Sequence, residues 1–162
     1  MATRLVQELR YDAPVAEVAA MLCDPAFREE VCVSLRATSH DVRVDTGAGG
    51  TTVRIEMTQP TDRVPSFARK FVGDGAHIVQ TETWRTTTEA EVVVTIPGKP
   101  GEMAGTARLV EVDGVTTETV DLQIKVRIPL VAGKIEDLIA KLLGSALRAE
   151  ERTGQTWLAR QR

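Results

Sequence analysis

The chain has 162 residues, and its 20 Lys and Arg against 23 Asp and Glu give a formal net charge of −3. That balance argues against a general nucleic-acid or polyanion binder, because such binding needs a clustered excess of basic charge. Aromatic residues make up 4% of the chain and there are two histidines, so it has few platforms for stacking bases or sugars and few groups that titrate near neutral pH. What remains is an aliphatic globular chain, which we interpret as one domain over residues 1–162.

The sequence shows no signal for export or membrane insertion. No run of 18 apolar residues occurs, and charged residues interrupt the first 14 positions, whereas a signal peptide needs an uninterrupted apolar stretch. Cys23 and Cys32 lie nine residues apart, without the CxxC spacing or added histidines of a redox or metal motif. We expect reduced, buried thiols, a cytoplasmic location, no metal and no cofactor.

The beginning of the chain predicts one strand followed by two short helices. Residues 3–11 alternate apolar and polar side chains, which is typical of a half-buried strand. The residues Asp-Ala-Pro at 12–14 favour the start of a helix. Asp24 and Pro25 end that helix, and Asp24 is suited to cap a second one that runs to about Ser34.

The middle of the chain predicts six strands and one short helix. The strands cover residues 38–46, 51–58, 76–87, 90–97, 103–112 and 115–128. Glycines at 47–50 predict a hairpin turn between the first two. From Val120 onward the last strand alternates strictly, which indicates an antiparallel strand with one face in water. Residues 59–72 break this alternation and repeat apolar side chains at helical spacing, so we predict a short amphipathic helix there.

Residues 132–159 predict one long C-terminal helix, because a broad apolar stripe repeats at helical spacing after Pro129. The stripe consists of Ile135, Leu138, Ile139, Leu142, Leu143, Ala146, Leu147 and Ala149. Such a helix is about 42 Å long, and a strand of fourteen residues spans roughly 46 Å. We therefore predict an α+β, helix-grip fold. It consists of a curved seven-stranded antiparallel sheet around the C-terminal helix, with two short helices after the first strand.

Two segments carry a resemblance to a known superfamily. The opening TRLVQELRYDAPVAEVAAMLCDPAF joins a strand to a helix through a D-x-P turn, and the closing KVRIPLVAGKIEDLIAKLLGSALRAEERTGQTWL joins a strand to the long helix. Over nearly its whole length the chain resembles the START-like helix-grip superfamily, also called SRPBCC, and residues 128–135 look like an uncharacterised branch of it. The resemblance implies a deep cavity between sheet and long helix that holds an apolar ligand.

The strand at 76–87 is the most informative for such a site. If Ile78 and Trp84 point inward, Gln80 and Glu82 share that face, and a buried carboxylate then needs a partner. In this register, Glu82 would orient a ligand hydroxyl or take part in acid–base chemistry. In the opposite register Glu82 is solvated, and the sequence does not decide between the two registers. The candidate ligand-binding residues are Val42, Val53, Ile55, Met57, Phe67, Phe71, Ile78, Gln80, Glu82, Trp84, Val94, Leu109, Leu138 and Leu142.

Residues 59–72 form a candidate lid over the cavity. The aromatic side chains of this segment are those of Phe67 and Phe71, and its basic side chains are those of Arg63, Arg69 and Lys70. The aromatic rings would close the cavity, and the basic groups would support at most a transient contact with anionic lipid headgroups. A static cover helix explains the same pattern equally well.

The sequence predicts binding or carriage of a small hydrophobic, lipid-like ligand, and assigns no catalytic residue. One alternative is a cyclase- or dehydratase-like enzyme in which Glu82 or His40 positions a proton, although a hydrogen-bonded histidine near a strand end explains His40 more simply. A second alternative is a module that binds a chaperone or another protein. A buried Glu82 that has both a strongly raised pKa and a polar partner in the cavity would favour the enzyme. A uniformly aliphatic pocket would favour the carrier, and a filled cavity with an exposed apolar patch would favour the interaction module.

Overall fold

A computed structural model of the chain describes residues 2–62 and 64–162. In chain order the elements are β1 (Thr3–Tyr11), α1 (Val15–Leu22), α2 (Pro25–Ser34), β2 (Ser39–Gly47), β3 (Gly50–Pro60), α3 (Ser66–Val72), β4 (Gly75–Trp84), β5 (Glu89–Thr95), β6 (Gly101–Val112), β7 (Val115–Val126) and α4 (Ala132–Arg160). These strands form one antiparallel sheet in the order β1-β7-β6-β5-β4-β3-β2. The predicted α+β helix-grip fold is confirmed.

Local chemistry explains two of the predicted chain reversals. The Asp24 carboxylate accepts a hydrogen bond from the backbone N–H of Ala26 at 2.9 Å, so Asp24 caps α2 as expected. Gly47 and Gly50 pair at the end of the β2–β3 hairpin. Gly50 has a φ of +115°, and a Cβ at that position would overlap the carbonyl oxygen of Trp84 in the neighbouring strand. Only glycine fits this close approach of two backbones.

The largest difference from the prediction concerns residues 59–72. β3 continues to Pro60, and α3 begins only at Ser66, so the prediction of a helix is wrong for the first half of this segment. Pro65 immediately precedes α3, where its fixed φ suits the start of a helix and its missing N–H is tolerated. Arg63, one of the basic residues predicted for this helix, lies outside the described residues.

β4 is also shorter than predicted and ends at Trp84 instead of residue 87. The hydroxyl oxygen of Thr86 accepts hydrogen bonds from the backbone N–H groups of Thr88 and Glu89 at 3.2 and 3.1 Å. This side chain therefore offers the backbone an alternative to the strand ladder and turns the chain into β5.

The long helix α4 packs mainly on β1 and β7, and α1 and α2 lie beside it. Ile135 on α4 is buried, and Ile139 and Leu143 pack against the core. Leu142, predicted on the same inward stripe, is 50% exposed. The buried face of α4 is therefore narrower than the apolar stripe, and its closest backbone contacts with the sheet are those to β1 and β7.

Candidate functional site

The register of the sheet decides which face of β4 points inward. Glu82 pairs with the buried Val53 of β3 and with the buried Val92 of β5, and directly paired residues project to the same side of a sheet. Glu82 and Trp84 are both buried. The inward register of β4 is thus the one adopted, and the solvated alternative for Glu82 is wrong.

The partner of Glu82 is an arginine from α2. The Arg28 side chain is 1% exposed, and its Nη2 donates to Glu82 Oε1 at 2.7 Å. Its Nε donates to the carbonyl oxygen of Leu22 at 2.6 Å, and its Nη1 donates to Glu150 Oε1 at 3.3 Å. One guanidinium therefore links α2 to the end of α1, to β4 and to α4. Burial opposes its charge, but the carboxylates of Glu82 and Glu150 more than offset this and raise the pKa of Arg28.

Two further donors complete the surroundings of Glu82. Trp84 Nε1 donates to Glu82 Oε1 at 3.1 Å, and Gln80 Nε2 donates to Glu82 Oε2 at 2.6 Å. Both carboxylate oxygens therefore accept hydrogen bonds from side chains in fixed positions. The arrangement suits a group that orients its neighbours, since Gln80 is only partly buried and lies between Glu82 and more accessible parts of the inward face.

More acidic groups surround this ion pair than one arginine can balance. We call Tyr11, Arg28, Glu82, Glu118 and Glu150 the Arg28 cluster; all five side chains are buried. Burial raises the pKa of Glu150 to about 7 against the opposing effect of Arg28, and burial together with Glu150 raises the pKa of Glu118 well above its usual range. The Tyr11 hydroxyl and Glu118 Oε1 are buried without any hydrogen-bond partner. Unpartnered buried polar atoms are uncommon and destabilising.

Glu82 is the one cluster member among the predicted site residues, although the spacing of Arg28, Glu118 and Glu150 carries a signal. Arg28 lies three residues before the inward Val31, and Glu150 lies seven residues after the inward Leu143, so both share a buried helix face. Glu118 extends the inward alternation of its strand by one step. A search for periodic apolar residues does not detect charged residues at core-facing positions.

The predicted ligand-binding residues fall into three groups of burial. Those that are buried are Val53, Ile55, Phe71, Glu82, Trp84, Val94 and Leu109. Those that are partly buried are Val42, Met57, Ile78, Gln80 and Leu138, and those that are exposed are Phe67 and Leu142. The structure brings four of the partly buried residues together on adjacent strands: Met57 pairs with Ile78, and Ile55 pairs with both Val42 and Gln80. We call Val42, Met57, Ile78 and Gln80 the concave patch.

The two aromatic side chains of the candidate lid differ in burial. Phe71 is buried with Val126 and Ile135, so α3 is fixed to the end of β7 and the start of α4. Phe67 is 43% exposed, and the Lys134 ammonium lies 5.6 Å from the centre of its ring. Phe71 therefore holds α3 in place, whereas Phe67 faces outward.

His40 pairs directly with Met57, so it projects to the same side of the sheet as the concave patch, at the end of β2. It is exposed and borders a solvent-open groove of about 780 Å³ between the outer faces of α2 and α4. The walls of this groove carry charges of both signs, from Glu29 and Glu30 on one side and Arg152 and Arg160 on the other. Arg160 is already paired with Glu30 at 2.8 Å, so these two charges balance each other across the groove.

Within the described residues, no group of three or more His, Cys, Asp or Glu side chains is arranged to hold a metal ion. No helix in the described part of the chain is both long and apolar enough to cross a membrane.

The strand order, the long C-terminal helix and the two short helices after β1 define the class of the protein: it has the START-like helix-grip fold. The model of the family described as "Protein of unknown function (DUF2505)" matches residues 7–158, and the chain therefore belongs to the DUF2505 family. An uncharacterized protein of Mycobacterium tuberculosis, Rv0481c, is 29% identical to it, and the match covers 75% of each chain.

Solved structures show the same fold at low sequence identity. TTHA0849 from Thermus thermophilus superposes with a TM-score of 0.64 at 19% identity, covering 94% of this chain and 97% of that one. The Zhui aromatase/cyclase from a Streptomyces species gives 0.68 at 13% identity, covering 99% and 95%. A START superfamily protein from Mycobacterium smegmatis gives 0.59 at 13% identity, covering 94% and 98%. At such identities the likeness establishes the fold alone.

Proposed function

We propose that the protein binds a small, mainly apolar, lipid-like ligand over the concave patch, between the sheet and α4. The observation that carries this proposal is the partial burial of Val42, Met57 and Ile78 on the inward face of the sheet. By contrast, Leu9 of β1 and Ile124 of β7 are completely buried on the same face. A ligand that covers the concave patch removes its remaining apolar surface from water, at roughly 25 cal/mol per Å².

The polar end of the ligand would meet Gln80. The amide nitrogen of Gln80 donates to Glu82, which leaves the amide oxygen as the group that can accept a hydrogen bond from a ligand. Glu82 in turn is held by Arg28 and Trp84, so Gln80 is kept in one orientation. This arrangement favours an apolar molecule with one hydroxyl or N–H group.

We expect the ligand to reach the concave patch at the end of the molecule formed by α3 and the start of α4. This end would contact a membrane transiently. The side chains of Phe67 and Leu130 are exposed there, and Lys134 lies against Phe67. Lys70 on α3 and Lys99 before β6 add positive charge at the same end. Each basic group near an anionic bilayer contributes about 1 kcal/mol, so the contact is weak and reversible.

A role as an enzyme has weaker support. The fold is shared with the Zhui aromatase/cyclase, and Glu82 is a buried carboxylate beside the concave patch. However, three donors already occupy the oxygens of Glu82, and Gln80 lies between it and the patch. We therefore assign Glu82 a positioning role and propose binding rather than catalysis, in a reducing, cytoplasmic setting.

Native mass spectrometry of protein purified from its own host, with extraction of bound lipids, tests the proposal. We expect a copurifying apolar molecule in the unaltered protein and its loss in Ile78→Trp, because the larger side chain occupies the space over the concave patch. Val93→Trp is the matched control, since Val93 lies on the outer face of the neighbouring strand and is exposed. No bound or exchangeable apolar molecule in the unaltered protein, or equal retention in Ile78→Trp, would contradict the proposal.

A further inference from the structure

The Arg28 cluster contains more acid than base. Arg28 donates to Glu82 and Glu150, but Glu118 Oε1 receives no hydrogen bond at all. With all three carboxyl groups ionised, two negative charges in a buried region would have no counter-charge. Ionised groups without partners are far more costly in a protein interior than neutral ones. The lowest-energy state of this cluster therefore has at least one neutral carboxyl group.

Within the described residues, Arg28 is the one basic group among the charges that act on Glu118 and Glu150; the other is the carboxyl group of Glu82. The further titratable side chains near the cluster are Tyr11, Cys23, Cys32, Glu29 and Glu151. Burial raises the pKa of Tyr11 and of Cys23, and raises that of Cys32 to about 11, so these three groups are neutral at physiological pH. The remaining neighbours besides Arg28 are acidic. Of these, Glu151 is turned toward the backbone N–H of Arg10, from which it accepts a hydrogen bond at 2.7 Å.

From this geometry we infer that Glu118 and Glu150 form a buried proton-binding site, in which the pair retains one proton at neutral pH in the folded protein. The two residues come from β7 and α4, and Arg28 links Glu150 to α2 and β4. The retained proton therefore lies where the long helix joins the sheet. Loss of this proton places a second negative charge at the joint and weakens the attachment of α4. The inference is independent of any ligand.

The sign of the pH dependence follows from proton linkage. In the unfolded chain both carboxyl groups titrate near the usual value of about 4.3, whereas in the folded protein the pKa of Glu150 is about 7 and that of Glu118 is raised well above its usual range. Between these limits the folded state binds more protons than the unfolded state, so stability falls as pH rises. Each extra proton changes the folding equilibrium constant by up to about tenfold per pH unit.

The test compares urea denaturation of four proteins from pH 5 to pH 8: the unaltered chain, Glu118→Gln, Glu150→Gln and Glu136→Gln. Glutamine resembles a permanently protonated glutamate, so each of the first two variants should lose part of the fall in stability. Glu136 is the matched control, because it is also buried on α4 but accepts hydrogen bonds from Thr3 Oγ1 and the Val126 N–H, both at 2.9 Å. Its variant should keep the slope of the unaltered protein.

Infrared spectroscopy supplies a second measurement that a purely structural role would not affect. We expect the carbonyl stretch of a protonated carboxyl group in the folded protein at pH 7, and its loss or shift in Glu118→Gln. If that variant fails to fold, Glu150→Gln carries the same comparison. Absence of the band in the unaltered protein, or pH profiles in which both cluster variants match Glu136→Gln, would overturn the inference.

Discussion

The inward face of β1 and β7 lies under α4, whereas the inward face of β3 and β4 is covered only in part. Under the helix, Leu9 and Ile124 are completely buried and Leu122 nearly so. On the concave patch, Met57 and Ile78 keep part of their surface in water. Both regions belong to one sheet, and β3 in one region alternates apolar and polar residues as β7 does in the other.

This difference shows that burial by α4 distinguishes the stabilising part of the sheet from the part proposed to bind a ligand. The sequence pattern of the strands does not distinguish them. The Arg28 cluster lies between the two regions. Glu82 on β4 belongs to the partly covered side, Glu118 on β7 belongs to the covered side, and Arg28 and Glu150 come from the helices. Changes in the cluster should therefore affect both regions, whereas changes in either region alone should remain local.

The largest effect is expected from Arg28→Met, which removes the only cation of the cluster and leaves the buried carboxylates unpaired. We expect a loss of about 3–5 kcal/mol in the free energy of unfolding, measured by urea denaturation. The matched control is Arg4→Met. The Arg4–Asp121 pair has a similar distance of 2.7 Å but is exposed to solvent, so its loss should lower the free energy of unfolding far less than Arg28→Met does. Equal costs for the two variants would show that the cluster does not hold the regions together.

A pair of alanine substitutions compares the two regions directly. Leu122→Ala under α4 should cost about 2–5 kcal/mol, because it leaves a cavity in a closed core. Met57→Ala should cost about 1 kcal/mol, since part of that side chain is already in water. Both values come from urea denaturation at one pH. A cost for Met57→Ala as large as that for Leu122→Ala would mean that the concave patch is packed closed.

The sequence was sufficient to predict the fold because each element carries a local signal. Alternation identified the strands, Asp24 identified a helix start, and the glycines at 47–50 identified a hairpin. The prediction is wrong for the first part of residues 59–72 because Gln59 and Pro60 continue β3, and their pairing with β4 is not visible in the local sequence.

The candidate site was predictable only in part, for a physical reason. Glu82 was singled out because it shares a strand face with apolar neighbours. Its partner Arg28 lies 54 positions away, and Glu150 lies 122 positions from Arg28. Charged residues on core faces show that some partner is needed, but only the tertiary arrangement shows which one. The excess of carboxyl groups over arginine appears only when the four side chains are placed together.

The smallest effect on stability is expected from Leu130→Asn, in the segment between β7 and α4. Leu130 is fully exposed and has a φ of +72°, a conformation that asparagine tolerates better than leucine. The free energy of unfolding should therefore change by less than about 0.5 kcal/mol. Sedimentation with vesicles that contain phosphatidylserine should nevertheless decrease, because the variant removes an apolar contact beside Phe67 and Lys134.

Val112→Asn is the control for that measurement, since Val112 is also exposed but lies at the opposite end of β6. It should leave vesicle binding unchanged, and binding of the unaltered protein should weaken with added salt, because the contact depends on exposed charges. If the unaltered protein ignores anionic vesicles, or if both variants reduce sedimentation equally, the end formed by α3 and the start of α4 has no special affinity for a bilayer. The ligand would then have to reach the concave patch from solution, although the binding site itself would be unaffected.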